Sequence, residues 1–194
     1  LPCTAEKEVL AVECVIDLLK FEMLKNGAYE LKDQAKIAEL AAMVAKDGHA
    51  ATGCVGKDAA VLLDAIGIEA PQGTRLIIAE VPFEHPFVQT ELMMPILGIV
   101  RVKNVDEAID LAVEAEHGNR HTAIMHSADV NALTKMAKRI QTTIFVKNGP
   151  SYAGIGLGGE GYTTFTIAGP TGEGLTSARC YARRRRCVLV GGMN

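Results

Sequence analysis

The feature that most constrains the fold is a regular alternation of segments between Ile96 and Asn148. Three short apolar runs, ILGIVRV, HTAIMHS and TTIFVKN, have the composition of β-strands. Two longer segments between them, NVDEAIDLAVEAEHG and ADVNALTKMAKRIQ, place their apolar residues at helical spacing. Strand, helix, strand, helix, strand with short links is typical of a parallel sheet with right-handed crossovers. The sequence therefore predicts an α/β fold with an open, mostly parallel sheet flanked by helices.

The residues before and after this unit carry the same two periodicities. The pattern predicts strands at Glu8 to Glu13 and Thr74 to Val81, and helices in CVIDLLKFEMLKNG, at Lys32 to Gly48 and in GKDAAVLLDAIGI. Asn104 or Asp106 is expected near the start of the helix after ILGIVRV. Beyond Asn148 the chain becomes glycine-rich and irregular, and RCVLV is predicted to form a short terminal strand.

Composition limits the classes of function. The chain has 194 residues, of which 48% are apolar and 22% charged, as in a globular domain with a substantial core. A formal net charge of -3 argues against nucleic acid as the main partner, and no apolar run reaches membrane-spanning length. The five cysteines form no C-x-x-C pair and lie at no zinc-ligand spacing, so we expect no metal site and a reducing compartment. One reactive thiol is compatible with this pattern.

A glycine motif near residue 155 has two interpretations. Gly154, Gly156 and Gly159 form G-x-G-x-x-G, the fingerprint of dinucleotide-binding turns. That function requires a strand before the motif and a helix after it, whereas here the β-like segment YTTFTI follows. The sequence favours glycines that let a loop pass close to other backbone.

The arginine run RRRR at Arg183 to Arg186 also has two interpretations. It has the composition of a nuclear-import or nucleic-acid patch. It also flanks a short apolar terminal strand in an acidic chain, where charges protect an exposed strand edge or face a partner subunit. The second interpretation fits the net charge better.

Single candidate residues are weak signals when taken one at a time. Cys3 alone has the character of a small buried apolar residue, His121 of a structural residue at the start of a strand, and Glu91 of a solvated loop acid.

The order of these residues and motifs along the chain is more informative. The stretches LPCTAEKEV, HPFVQTELMMPIL, HTAIMHS, GPSYAGIGLGGEGYTTFTIAGPTGEG and TSARCYARRRRCVLV together resemble the catalytic half of the aldehyde dehydrogenase superfamily. Within it, the resemblance is closer to the CoA-acylating branch of the ethanolamine and propanediol microcompartment type.

The resemblance implies roles for individual residues. Cys3 matches the nucleophile that attacks an aldehyde carbonyl and carries the acyl group as a thioester. Glu91 matches the carboxylate that binds the nicotinamide-side ribose of NAD, and Met93 matches an apolar position near the nicotinamide ring. His121 and Thr122 match an HT pair of the acylating branch, in a substrate or CoA pocket, with no firm role for His121.

The resemblance also implies an organisation and partners. Residues 1–180 would be an aldehyde dehydrogenase catalytic domain and 181–194 an oligomerisation strand, and the dinucleotide-binding domain, which precedes the nucleophile in this superfamily, is absent from this chain. The expected cofactor is NAD, with coenzyme A as co-substrate and a short aliphatic aldehyde as substrate. Expected partners are further copies of the chain through the terminal strand and the shell proteins of a microcompartment. The expected location is the cytoplasm, more narrowly such a compartment.

Three functions remain open at this point. The first is the catalytic domain of an NAD-dependent CoA-acylating aldehyde dehydrogenase that is inactive by itself. The second is a related thioester-forming fragment, from a hydrolytic aldehyde dehydrogenase or from a semialdehyde or acyl-phosphate reductase. The third is a non-catalytic assembly module with the same fold. The glycine-rich segment and the HT pair favour the first.

Overall fold

Strands and helices alternate along most of the chain. The computed structural model describes residues 2–158, 167–168, 174–175, 180 and 182–191. The helices are α1 Ile16–Lys25, α2 Gln34–Val44, α3 Ala59–Asp64, α4 Pro86–Gln89, α5 Val105–Ala115 and α6 Val130–Ile140, with a 3₁₀ helix at Ser151–Ile155. The strands are β1 Glu8–Val12, β2 Ala28–Glu30, β3 Ala45–Lys46, β4 His49–Ala50, β5 Leu76–Glu80, β6 Ile96–Val102, β7 Thr122–Met125, β8 Ile144–Lys147, β9 Ile167–Ala168 and β10 Gly174–Leu175. The predicted α/β class is confirmed.

The main sheet has four parallel strands in the order β1-β6-β5-β2. Strand β6 pairs on one side with β1, where Glu8 faces Gly98, and on the other with β5, where Ile77 faces Ile96. Every residue of β6 except Arg101 is buried. A strand covered on both faces requires the continuous apolar run that the sequence displays there.

Helices cover both faces of this sheet. On one face, Ile77, Ala79 and Val100 pack in a cluster with Phe87 of α4 and with residues of α2 and α3. On the other face, Ile16 of α1 packs against a second cluster. Its other buried members are Ala11, Ile78, Leu97 and Ile99. The alternation along β5 and β6 between the two clusters follows the two-residue period of a strand.

The last two strands of the predicted unit depart from the expected single sheet. Strands β7 and β8 pair in parallel with each other and form a separate two-stranded sheet. Both edges of β6 are already occupied, by β1 and β5, so β6 has no free edge for β7. Helices α5 and α6 pack on this second sheet through Ile109, Met136 and Ile140.

One helix boundary also differs from the sequence expectation. The helix expected to run to Gly48 ends at Val44, and β3 and β4 form a hairpin around Asp47 and Gly48. Both turn residues have positive φ, 51° and 76°, which is the Asp-Gly geometry of a tight hairpin turn. By contrast Asn104 starts α5 as expected, since its side chain accepts a hydrogen bond from the Glu107 N–H.

The terminal segment has no strand within the described part of the chain between residues 182 and 191. Its described residues are exposed, including Val188, Leu189 and Val190. Strand pairing requires a hydrogen-bonding partner, and among the described residues none pairs with the expected terminal strand. Its pairing with a second subunit stays a prediction.

A charged network joins α1 to three strands of the main sheet. Glu80 of β5 accepts hydrogen bonds from Arg101 Nε of β6 and from Lys20 Nζ of α1, both at 2.7 Å. Lys20 also lies 3.0 Å from Glu30 of β2, and Arg101 Nη2 lies 2.8 Å from Asp17 of α1. The network therefore connects β6, β5 and β2 with the helix above them.

The Glu80 network predicts an acid-dependent loss of stability. The Arg101 guanidinium, helped by Lys20, lowers the pKa of Glu80 from 4.5 to about 2 in the fold. A lowered pKa in the folded state means that the network stabilises the fold fully above about pH 4.5 and progressively less as pH falls towards 2. Glu80→Gln should cost about 1 kcal/mol at pH 7, because the side chain is one-third exposed and water screens the pair.

Urea unfolding of the two proteins between pH 7 and pH 3 checks this expectation. The difference in free energy of unfolding should shrink below about pH 4.5. The control is Glu13→Gln, at an exposed carboxylate beyond the end of β1, which should change stability little at either pH. A difference for Glu80→Gln that stays constant over this range would contradict the assignment.

Candidate functional site

The parallel pairing of β1 and β6 brings two distant segments together. Cys3 lies shortly before β1, and Glu91 lies shortly before β6. Adjacent parallel strands start at the same edge of a sheet, so the segments that precede them lie side by side. The candidate site is thus at the amino edge of the main sheet.

A small cleft of about 20 Å³, enough for a water molecule, lies between the two segments. One wall is the cysteine segment and the other is the segment before β6. The lining residues are Pro2, Ala5, Glu6, Lys7, Glu91, Leu92, Met93, Met94 and Ile96. The cleft therefore contains both residues that sequence reasoning placed near a nicotinamide cofactor, Glu91 and Met93, opposite the turn that carries Cys3.

A tight turn presents the thiol. The Ala5 N–H donates to the Pro2 carbonyl at 2.9 Å, which closes a turn around Cys3 and Thr4. Thr4 points inwards and is 3% exposed, whereas Cys3 is exposed. An accessible thiol on a turn is compatible with a nucleophile. Cys3 does not have the buried position that its residue type alone suggested.

The opposite wall of the cleft is the segment between α4 and β6, and α4 fixes the position where this segment begins. His85 Nδ1 accepts a hydrogen bond from the Phe87 N–H at 3.1 Å and caps α4. Burial lowers the pKa of His85, which keeps the imidazole neutral and able to accept that bond. The helix lies directly on β6, since a Cβ on Gly98 would come within 3.0 Å of the Phe87 carbonyl oxygen. This contact fixes where the Glu91 segment begins.

The Glu91 segment alternates between buried and exposed residues. Leu92 and Met94 are buried, at 4% and 2% exposure, whereas Glu91 and Met93 are exposed. Met93 has φ of 55°, a left-handed conformation that is rare for a side chain of its size. Strained backbone of this kind is concentrated at functional sites. No sequence pattern indicated it.

His121 and Thr122 lie at the start of β7 and do not line this cleft. The two side chains contact each other, with His121 Nδ1 2.7 Å from Thr122 Oγ1. The His121 N–H donates to Glu116 Oε1 at 2.8 Å. Both residues therefore belong to the β7–β8 sheet, at its amino edge.

Sequence reasoning missed the acidic residues that follow Cys3. Glu6 accepts hydrogen bonds from the Ser151 N–H at 3.1 Å and from Ser151 Oγ at 3.2 Å. Burial raises the pKa of Glu8, and the neighbouring Lys7, whose Nζ lies 3.5 Å from Glu8 Oε2, opposes that rise. Glu6 and Ser151 are far apart in the sequence, so local patterns contain no signal of their contact.

Gly154 of the glycine motif allows close packing, although against side chains and not against the backbone that the sequence interpretation named. A Cβ on Gly154 would collide with the side chains of Ile144 and Val146 of β8, and Gly156 has φ of 94° at the end of the 3₁₀ helix. Residue 159 lies outside the described residues. Up to residue 158 the motif follows β8 with a 3₁₀ helix rather than the long helix of a dinucleotide site.

Two kinds of feature are absent from the described ranges. No helix among these residues is long and apolar enough to cross a membrane. Within the same residues, no group of three or more histidine, cysteine, aspartate or glutamate side chains is arranged to hold a metal ion.

Comparison with known proteins identifies the family that this chain resembles in sequence. The model of the aldehyde dehydrogenase family matches residues 72–169. The curated propanal dehydrogenase (CoA-propanoylating) of Citrobacter freundii is 51% identical over the whole chain, which covers 42% of that protein.

Solved structures agree in fold. The chain is 64% identical to Rhodopseudomonas palustris propionaldehyde dehydrogenase, solved with bound CoA and an acylated cysteine, with a TM-score of 0.90 over 97% of this chain and 43% of that one. It is 51% identical to the propionaldehyde dehydrogenase of the Clostridium phytofermentans fucose utilisation bacterial microcompartment, with a TM-score of 0.89 and the same coverage. Variants of the latter with one cysteine or one histidine replaced by alanine have also been solved.

The chain spans about two fifths of the length of the proteins it matches. The agreement extends from the cysteine turn through both parallel sheets, at identities well above those that indicate the fold alone. The chain belongs to the aldehyde dehydrogenase family.

Proposed function

We propose that this chain is the catalytic part of a CoA-acylating aldehyde dehydrogenase, which converts a short aliphatic aldehyde, NAD and coenzyme A to acyl-CoA and NADH. The observation that carries the proposal is the cleft with the exposed Cys3 turn on one wall and Glu91 and Met93 on the other. The similarity to an enzyme solved with CoA and an acylated cysteine supports it.

Cys3 is the proposed nucleophile. Its thiolate attacks the aldehyde carbonyl carbon, and loss of hydride from the adduct leaves an acyl thioester on Cys3. The thiol of coenzyme A then attacks the thioester, takes the acyl group and regenerates the Cys3 thiol. The exposed position of Cys3 allows both partners to reach the sulfur.

Glu91 and Met93 are the proposed cofactor residues. NAD supplies the hydride acceptor when it is bound. The exposed Glu91 carboxylate can accept hydrogen bonds from two ribose hydroxyls, and the exposed Met93 side chain offers an apolar surface to a flat ring. Both side chains line one wall of the cleft, and Pro2 and Ala5, which flank Cys3 in its turn, line the other.

His121 and Thr122 are the proposed substrate or CoA pocket. In the Clostridium phytofermentans enzyme, the replaced cysteine and the replaced histidine are separated by the same number of residues as Cys3 and His121 here. This equal separation supports the assignment of both Cys3 and His121. The imidazole contacts Thr122, so the two side chains act as a unit.

Assembly is the remaining element of the proposal. The exposed Val188, Leu189 and Val190 would add as a strand to a neighbouring copy, with Arg183 to Arg186 beside the interface. The enzyme would then work as a homo-oligomer in the cytoplasm, inside a bacterial microcompartment and against its shell proteins. The relative from a fucose utilisation microcompartment supports that location.

The nucleophile assignment predicts a sharp contrast between two exposed thiols. In the full-length enzyme, Cys3→Ser should lower acyl-CoA formation by at least about a thousandfold, because a hydroxyl is a far weaker nucleophile at neutral pH. Binding of NAD, measured by titration, should be largely retained. Cys14→Ser, at the exposed thiol between β1 and α1, is the matched control and should keep near-normal activity. A near-normal rate for Cys3→Ser would refute the acylating mechanism.

The Glu91 assignment predicts a cofactor effect without a thiol effect. Glu91→Gln should raise the KM for NAD or slow hydride transfer by roughly tenfold, the loss expected for one charge-assisted hydrogen bond. Alkylation of Cys3 by iodoacetamide should proceed at the normal rate. Glu84→Gln, at an exposed carboxylate before α4, should leave both measurements unchanged. Slower alkylation with normal NAD kinetics would contradict the role of Glu91.

The assembly assignment predicts a change in oligomeric state. Deletion after Ala182 should convert the oligomer to monomer or aggregate, as measured by size-exclusion chromatography with light scattering, because it removes the apolar strand. Val130→Ser, at an apolar residue of α6 that is 72% exposed, is the control for loss of surface apolar area. A stable micromolar monomer both with and without the segment would disprove this mode of assembly.

A further inference from the structure

The carboxylate of Glu6 joins the cysteine turn to a part of the fold outside the main sheet. Glu6 lies in the same segment as Cys3 and lines the cleft. Its two oxygens accept hydrogen bonds from the Ser151 N–H and from Ser151 Oγ. Ser151 is 1% exposed, and buried polar groups depend on such partners. Ser151 therefore depends on this contact, whereas Glu6 is exposed and its carboxylate also reaches solvent.

Ser151 begins the 3₁₀ helix that follows β8. That helix lies directly on β8, because Gly154 leaves no room for a side chain between it and Ile144 and Val146. Its position is thus fixed relative to the β7–β8 sheet. That sheet also carries Thr122, with His121 directly before it, and in the described part of the chain neither of its strands pairs with the main sheet.

The segment on the other wall of the cleft is held differently. Glu91 and Met93 precede β6, which pairs with β1 and packs against α4 through Gly98. Their position relative to Cys3 follows from the main sheet and does not involve Ser151. Two separate sets of contacts therefore hold the cysteine turn. Strand pairing in the main sheet sets it against Glu91 and Met93, and the hydrogen bonds of Glu6 with Ser151 link it to the β7–β8 sheet.

We propose that Glu6 is a positioning residue that sets the cysteine turn against the β7–β8 unit and thereby governs acyl transfer to coenzyme A. This inference rests on the proposed function for the identity of the step. With both bonds made, the segment that carries Cys3 is held to the unit that carries the proposed CoA pocket. Without them, its remaining hydrogen bond towards that unit is from Lys7 Nζ to the Ala115 carbonyl oxygen at the end of α5, so the turn gains freedom relative to the pocket, while the geometry towards Glu91 and Met93 persists.

The test compares Glu6→Ala with Glu6→Gln in the full-length enzyme. Alanine removes both acceptors. The glutamine amide can accept from the Ser151 N–H and donate to Ser151 Oγ, since a hydroxyl both donates and accepts. Glu13→Ala, at an exposed carboxylate beyond the far end of β1, is the matched control.

Two kinetic measurements separate the steps. One is the burst of NADH on mixing with aldehyde and NAD without coenzyme A, which reports thioester formation. The other is kcat/KM for coenzyme A in steady state. Glu6→Ala should lower kcat/KM for coenzyme A by about tenfold or more, the size expected for a misplaced reacting group, and leave the burst within about twofold. Glu6→Gln should recover most of the loss, and Glu13→Ala should match the wild type.

Other outcomes would overturn the inference. Glu6→Ala with normal dependence on coenzyme A would do so, as would an equal loss in burst and acyl transfer. A Glu6→Gln enzyme as impaired as Glu6→Ala would point to the charge rather than to positioning.

Hydrogen exchange makes the pair testable apart from the activity. Amides of residues 151–155 should exchange faster in Glu6→Ala than in wild type, because the Ser151 N–H loses its acceptor. Unchanged exchange would overturn the positioning role whatever the enzyme does. A wild-type enzyme that forms no acyl-CoA would instead contradict the proposed function, and the exchange result would stand by itself.

Discussion

The parallel pairing of β1 with β6 is the interaction on which the candidate site depends. It sets Glu8 opposite Gly98 and so aligns the starts of two strands that are far apart in the sequence. The same glycine allows α4 to lie on β6, which fixes the segment between them. Alternate residues of β1 pack in the two apolar clusters, Leu10 and Val12 in one and Val9 and Ala11 in the other, so a slip by one residue would exchange them, and core packing holds the alignment. The cleft is a consequence of that register.

The candidate site illustrates how a sheet edge can serve chemistry. In open α/β sheets, ligands commonly bind beyond the carboxyl ends of the strands. Here the cysteine turn and the Glu91 segment meet at the amino edge, where backbone strain at Met93 and the buried Thr4 shape the two walls. The carboxyl edge instead carries the network of Glu80 with Arg101 and Lys20, which ties strands to α1. The charged network and the candidate site therefore lie at opposite edges of the main sheet.

Local patterns predicted most elements because each depends on contacts close in sequence. The strand at β6 was predicted from its apolar run, and the start of α5 from the side chain of Asn104, which caps its own helix. The patterns failed where a distant segment decided the outcome. Strands β7 and β8 were expected to extend a single sheet, yet they form a separate one, because β1 and β5 occupy both edges of β6. The contact of Glu6 with Ser151 is of the same kind. The early end of α2 is instead a local effect of the turn at Asp47 and Gly48.

The sequence by itself determined the class of fold and the longer helices and strands, since these follow from periodicity. Cys3, Glu91 and Met93 are site candidates that the resemblance to the family implies. Only the tertiary structure decided which of them share a cleft, that Cys3 is exposed while Thr4 is buried, and that His121 lies on a separate sheet. The physical reason is that strand pairing and side-chain burial depend on which edges and faces are already occupied. That competition is settled among segments distant in sequence, and no local pattern encodes it.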